Sequence, residues 1–272
     1  MMRSLWTAAS GMIAQQTNVD TIANNISNVN STGYKTSKAE FKSLLYQTIQ
    51  SRSTSANGDE KPVSAQVGLG TRLASITSNF SQGSMLASES NTAFAIQGNG
   101  LFGLQAPDGT VYYTRNGDFK WSIGTDGVTL ASSDGLPVLD TNGNPIILPN
   151  DVAASDVMFT SKTGELGYVN PGGEYVSLNM TIGTWQFNNT AGLEKLGDSL
   201  YGVTDASGPA LNESTTAGLN RSDILNRYLE GSNVQIADEM VDLIVAQRAY
   251  EMNSKAIQAS DEMLGQANSL RR

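Results

Sequence analysis

The chain has 272 residues, 39% of them hydrophobic and 16% charged, enough apolar material for a packed core and too much for wholesale disorder. It has no cysteine and no histidine, which excludes disulfides, thiol nucleophiles, Cys/His zinc sites and any proton shuttle built on imidazole. A net charge of −9 excludes the basic footprint that nucleic acid requires. The imbalance is central: residues 1–46 carry a net +2 and residues 221–272 a net −2, with seven basic and sixteen acidic residues between them. An acidic, solvated body between nearly neutral ends is the pattern.

At the N-terminus, Leu5, Ala8, Met12, Gln15, Val19, Ile22, Ile26 and Val29 recur at alternating steps of three and four. That is the period of a coiled-coil seam, and it predicts an amphipathic helix over residues 4–30. The segment is a poor secretory signal, because Thr7, Ser10 and Gly11 break its apolar run and the seam continues far past it. No stretch approaches the roughly 20 apolar residues that span a bilayer. Residues 50–66 follow, with only Ala56, Val63 and Ala65 apolar, and read as a loop or extended arm.

The middle changes to period two and tight turns. Asp108-Gly109, Asn116-Gly117, Asp126-Gly127, Asp134-Gly135 and Asn142-Gly143 fall eight to ten residues apart, the spacing of short antiparallel strands joined by hairpin turns. Val111–Thr114, Val128–Leu130, Ile146–Leu148, Tyr175–Ile182 and Thr184–Phe187 are the predicted strands. Residues 204–221 read as a second connector.

The C-terminal segment repeats the helical step through Ile236, Met240, Leu243, Gln247, Tyr250, Ser254, Ile257, Asp261 and Leu264. Ser232 with Gln235 predicts a capping box, and Asp238 and Glu239 would complement the helix dipole. Two seams at opposite ends of the chain predict helices that pair with each other or with neighbouring copies.

Three motifs invite a chemical reading. Gly98-Asn99-Gly100-Leu101-Phe102-Gly103 fits the dinucleotide fingerprint, but that motif needs a helix opening at its third glycine, and Pro107-Asp108-Gly109 turns the chain instead. Asp140–Asn144 lacks the spacing and terminal acid of a calcium loop and reads as a hairpin turn. Asp238, Glu239 and Asp242 form an acidic helix start with no identifiable cleft partner.

The run Ala23-Asn24-Asn25-Ile26-Ser27-Asn28-Val29-Asn30-Ser31-Thr32-Gly33-Tyr34-Lys35 resembles the N-terminal signature of flagellar rod and hook proteins. Glu230-Gly231-Ser232-Asn233-Val234, continuing through Ala246-Gln247-Arg248-Ala249-Tyr250-Glu251, resembles their C-terminal signature. Ile96–Phe102 and Tyr113–Phe119 are similar to the family's middle domain. Leu45–Ile49, Val67–Arg72 and Asn212–Thr215 resemble the distal-rod branch. Asn226-Arg227 departs from the family, which commonly has Gln-Gly before Tyr-Leu-Glu.

The expected fold is therefore α+β: a discontinuous, coiled-coil-like helical domain from both termini with an inserted antiparallel β domain. The expected spans are 1–46 for the first helix and start of a connector, 47–91 for the arm, 92–204 for the β domain, 205–232 for a connector and 233–272 for the last helix. Leu5, Met12, Val19, Ile22, Ile26, Val29, Ile236, Met240, Leu243, Tyr250, Ile257 and Leu264 are the expected assembly seam. Asn24, Asn25, Asn28, Gly33, Tyr34, Ser232, Asn233, Arg248 and Tyr250 carry the family motifs. The resemblance implies a structural subunit without catalysis, cofactor or metal, stacking helically into a hollow, torque-transmitting shaft, its terminal helices around the channel. Its implied partners are other copies of itself, proximal rod and hook subunits, the flagellar type III export apparatus, and ring proteins where an outer membrane exists. Nucleic acid and membrane insertion are not implied. The implied location is the flagellar basal body, reached across the inner membrane without a cleaved signal. The alternatives are a proximal-rod or hook paralogue, which would lack the arm, and a secreted β-rich carboxylate hydrolase, which would need an active cleft.

Overall fold

The computed structural model describes residues 2–50, 65–124, 127–149, 157–160, 163–169 and 174–270. They form two compact units. The first comprises residues 1–27, 37–77 and 235–272; the second comprises residues 28–36 and 78–234.

The first unit is built on two helices, α1 (Met2–Ser27) and α2 (Ile236–Ser269). They run antiparallel. Ser4 Oγ lies 3.2 Å from Ser260 Oγ, and at the other end Asn25 Nδ2 donates to Glu239 Oε1 at 3.1 Å. Midway, Gly11 sits so close to Asn253 that a Cβ would come 2.9 Å from its amide nitrogen. The residue numbers of each pair add to 264, so these three contacts lie at multiples of seven residues from one another along both helices.

Both helix boundaries differ from the sequence expectation. Helix α1 stops at Ser27, and the chain turns at once, Ser31 N–H reaching Asn28 O at 3.2 Å. Val29 therefore lies outside the helix. The capping box does not form: Gln235 is itself the extended N-cap residue and makes no side-chain cap bond, while Ser232 Oγ accepts from Val234 N–H at 3.3 Å. Asp238 and Glu239 do occupy the first turn, where their charge favours the helix N-terminus.

The predicted polar connector begins and ends as an antiparallel ribbon. Strands Tyr46–Gln50 and Ala65–Gly68 pair, with Tyr46 opposite Gly68. Strands Ser37–Ser43 and Thr71–Ser78 pair beyond them, joined through Leu44 N–H to Gly70 O at 2.9 Å. Residues 51–64 of the predicted connector lie outside the described residues.

The second unit is antiparallel β. Its largest sheet has six strands, in the spatial order Glu194–Gly197, Leu200–Gly202, Val111–Thr114, Leu101–Gln105, Thr184–Gln186, Leu211–Asn212. One core packs Phe94, Ile96, Phe102, Phe119, Leu130 and Ile146 with Ile182 and Ile224; a second surrounds Leu101, Tyr113, Trp185 and Tyr201. The predicted strands Val111–Thr114 and Val128–Leu130 are present, and those predicted over 146–148, 175–182 and 184–187 are each one residue shorter, at Ile147–Leu148, Tyr175–Thr181 and Thr184–Gln186. This unit is wider than residues 92–204, because Ile224 and the strand Asp223–Asn226 pair with Phe94–Gln97 and complete the core.

The Asp-Gly and Asn-Gly turns behave differently from one another. Gly109, Gly135 and Gly143 adopt positive φ in tight turns, as expected. Gly127 does too, although Asp126 lies outside the described residues. Asn116-Gly117 is not such a turn. Gly117 is required because a Cβ there would come 1.9 Å from Phe94 O, and its own carbonyl accepts from Phe94 N–H.

Candidate assembly site

The two family signatures converge on a buried carboxylate in the β unit. Glu230 Oε1 lies 2.6 Å from Lys35 Nζ, and its Oε2 lies 2.8 Å from Arg115 Nε; all three side chains are buried. Gly83 N–H donates to Oε1 at 2.9 Å, and Gly33 N–H donates to the Glu230 backbone carbonyl at 2.8 Å. Lys35 Nζ also donates to Ser81 O at 2.8 Å.

Arg115 spends its remaining donors on backbone. Its Nη1 donates to Gly98 O at 2.8 Å and to Gly100 O, and its Nη2 to Ile96 O at 3.3 Å. The loop that resembled a dinucleotide fingerprint thus joins strands Phe94–Gln97 and Leu101–Gln105 and turns its carbonyls, not its amides, toward a cation. Such an arrangement lacks the helix N-terminus that would cradle a pyrophosphate.

Burial penalises the charge on Glu230, but Arg115 and Lys35 outweigh it and hold the carboxyl below its ordinary range. Burial lowers the pKa of Lys35; Glu230 opposes that shift and Arg115 adds to it. Lys195 is lowered by burial as well; its Nζ donates to Lys35 O at 3.2 Å and sits 5.0 Å from the centre of the Tyr34 ring.

Beside this centre the motif residue Asn233 acts as a backbone clamp. Asn233 Oδ1 accepts from Thr36 N–H at 2.8 Å and Thr36 Oγ1 at 2.6 Å, and its Nδ2 donates to Asn79 O at 2.8 Å. Asn28 Oδ1 accepts from Ser31 Oγ at 3.1 Å. In the helical unit, Asn25 Oδ1 accepts from Ser37 N–H and its Nδ2 donates to Ser37 O, both at 2.9 Å. Asn24 and Arg248 lie on the exposed surface, the latter 2.9 Å from Glu251.

A second buried carboxylate, Glu213, is held entirely by neutral donors: Gln186 Nε2 at 2.7 Å, Ser222 N–H and Oγ at 2.8 Å each, and Thr184 Oγ1 at 3.0 Å. Every lone pair it offers is engaged. Among the described residues, no three acidic side chains converge to hold a metal, and no helix is long and apolar enough to cross a membrane.

The expected seam residues separate into two sets. Ile22 is buried, and Leu5, Met12, Val19, Ile26, Leu243, Ile257 and Leu264 are half-buried. Ile236, Met240 and Tyr250 are exposed instead. The residues buried on α2 are Ala246 and Ser260. The helices approach through small and polar residues, one position away from the expected stripe, because small side chains permit close contact.

That choice leaves large apolar side chains outside. On α1, Trp6 and Ile13 are 75% and 68% exposed, one heptad apart. On α2, Val241, Ile244, Val245 and Met252 are between 55% and 65% exposed, at the i, i+3, i+4, i+11 spacing of one helix face. Leu45, Tyr46 and Ile49 are exposed on the ribbon.

Family models match three parts of the chain. Residues 5–35 match the flagella basal body rod protein, residues 95–189 the flagellar hook protein FlgE/F/G D1 domain, and residues 225–270 the flagellar basal body rod FlgEFG protein C-terminal region. The chain is 44% identical to the flagellar basal-body rod protein FlgG of Borreliella burgdorferi, over the full length of both. It is 35% identical to the protein of that name in Bacillus subtilis and 30% identical to the flagellar hook-basal body complex protein FlhP of the same organism, again over both full lengths. Three matched regions, full-length identity and the convergence of both terminal signatures on Glu230 agree: the chain belongs to the flagellar basal-body rod protein family.

Proposed function

We propose that copies of this chain, a structural subunit of the distal rod, polymerise helically into a rigid, hollow shaft that carries torque from motor to hook. The observation that carries this reading is the apolar face of the helix pair. A single chain leaves Trp6, Ile13, Val241, Ile244, Val245 and Met252 in water, and covering each would contribute about 1.5–3 kcal/mol. A second copy presents the same stripe, so one type of contact repeats along a polymer, with the helices joining coiled-coil fashion. Proximal rod subunits below and hook subunits above continue the axis, the export apparatus delivers the chain across the inner membrane without a cleaved signal, and rings surround it where an outer membrane exists. The subunit's role is mechanical, with no reaction, cofactor or metal.

The test is Val245→Asp. The exposed position tolerates a carboxylate in the monomer, so circular dichroism and the melting temperature should match wild type. Polymer formation by sedimentation and electron microscopy should be lost, and cells carrying the variant should be non-motile. Asp20→Asn, a polar exchange on an exposed residue, should polymerise normally. Wild-type polymers and motility in Val245→Asp would sink the reading.

A further inference from the structure

A groove of about 380 Å³ runs between α1 and α2, lined by Gln16 and Val19 from one helix and by Gln247, Tyr250 and Glu251 from the other. The lining residues fall at i, i+3 on α1 and at i, i+3, i+4 on α2, so each helix contributes a single face. Val19 and the Tyr250 ring give the groove apolar surface, and the two amides and the carboxylate give it oxygen acceptors. Glu251 is engaged by Arg248 at 2.9 Å, on an exposed surface.

The side chain that matches this groove is Trp6, which is 75% exposed and the largest apolar side chain that either helix leaves in water. Its indole joins an apolar body to one N–H donor, as the groove joins an apolar wall to acceptors. The other exposed apolar residues of the pair, Ile13 and Val245 among them, have no donor to offer. Arg3, also exposed, stands three residues before Trp6 on the same side of α1 and carries the charge opposite to Glu251. The helices agree in charge: Ile236–Ser269 holds six acidic and two basic residues, whereas Arg3 and Asp20 are the only charged side chains of Met2–Ser27.

Trp6 cannot fill the groove of its own chain. Gln16 and Val19 lie ten and thirteen residues further along α1, about 15 and 20 Å away on a rigid helix. On α2, Ser4 lies beside Ser260 and Gly11 beside Asn253, so Gln247–Glu251 fall further still from Trp6. We infer that Trp6 of one copy inserts into the groove of the next, with Arg3 beside Glu251. This rests on the assembly reading and names a contact within it. A knob and a hole at different heights on one subunit make a heterologous contact, in which each copy that fills a groove leaves its own open. On parallel helices the contact propagates instead of closing, and offsets successive copies by about 15–20 Å.

The test puts the photo-crosslinker p-benzoylphenylalanine in place of Trp6 in the full-length chain, an exposed site where an aromatic ring is kept. This chain and an isotope-labelled wild-type chain are co-polymerised in equal amounts, irradiated and digested. Mass spectrometry should find cross-links from position 6 of an unlabelled chain to residues 16–19 or 247–251 of a labelled one. Trp6→Ala should leave the circular dichroism of the monomer unchanged and raise the concentration at which polymers appear by at least about tenfold, as loss of a buried aromatic anchor does. The inference is overturned, and the shaft reading left standing, if polymers form while the cross-links map elsewhere. It is overturned in the same way if Trp6→Ala polymerises at the wild-type concentration. A wild-type chain that forms no polymer overturns both.

Discussion

Lys35 Nζ lies 2.6 Å from Glu230 Oε1, and neither side chain reaches solvent, although 195 residues separate them in sequence. With Arg115 on the other carboxylate oxygen, one buried anion serves two buried cations. Removing one partner from such a cluster strands the others without compensation. Glu230→Gln should therefore destabilise the β unit by about 3–5 kcal/mol, read as a lower urea midpoint. An unchanged midpoint would show that Lys35 and Arg115 relax to other partners.

The same carboxylate should confer acid sensitivity. Its folded pKa lies below its unfolded value, so the unfolded chain binds more protons in the interval between them. The stabilisation from Glu230 is fully present above the unfolded value of about 4.3 and is lost as the pH falls toward the folded pKa. Lys35, lowered mainly by burial, binds fewer protons folded than unfolded between its folded pKa and about 10.4, so its contribution makes stability rise with pH across that interval only. Urea titrations from pH 7 downward should show a loss below about pH 4.3 that is shallower in Glu230→Gln.

Arg227 adopts φ of +63°, the left-handed region that favours glycine, at the position where the family commonly carries that residue. It is held there by Nε and Nη2 on Asn91 Oδ1, at 2.9 and 2.6 Å, and by its N–H on Ala93 O at 2.8 Å. Arg227→Gly removes the strain and the side-chain bonds together and should change stability by less than about 1 kcal/mol. Arg227→Ala loses the bonds but keeps the strain, and should fall below the glycine variant by about 1 kcal/mol. The order of the two melting temperatures checks this; the reverse order would mean that the turn relaxes around alanine.

Ile22 is 5% exposed in the single chain, so its contacts are already satisfied within the subunit. Ile22→Asp should destabilise the helical unit and yield a degraded product rather than an intact subunit that fails only to polymerise. Pulse-chase abundance separates the two outcomes. A stable Ile22→Asp chain would place Ile22 back at the contact between copies.

Helix α2 buries only Ala246 and Ser260 among its described side chains, whereas the β unit buries two aromatic clusters. Amphipathic helices owe most of their stability to packing. Amide exchange in the monomer should be fast across residues 236–269 and slow in strands Leu101–Gln105 and Val111–Thr114. Polymerisation should slow the helical amides. Uniform protection in the monomer would contradict this.

The helices at the two ends of the chain and the antiparallel hairpin character of the middle were legible because they rest on local rules of spacing and turn chemistry. The phase of the seam was not. Ala246, Asn253 and Ser260 give no hydrophobic signal, while Ile236, Met240 and Tyr250 attract attention because they are apolar, whichever surface they cover. Lys35, Arg115 and Glu230 each stood within or beside a recognised motif, but nothing in the sequence pairs charges separated by 80, 115 and 195 residues. The Ser232–Gln235 box failed for a similar reason: Asn233, between them, is drawn to Thr36 and Asn79, and the helix starts only after that contact is complete.

The position of Glu230 near the end of the chain also orders events in time. Synthesis from the N-terminus brings out Lys35 and Arg115 long before the carboxylate that neutralises them, and Ile224 of the core emerges only slightly earlier. Until then the β unit lacks both a counter-ion for its interior and the strand that covers Phe94–Gln97. Native packing is a late event, and most of the chain's emergence passes while it is still pliable.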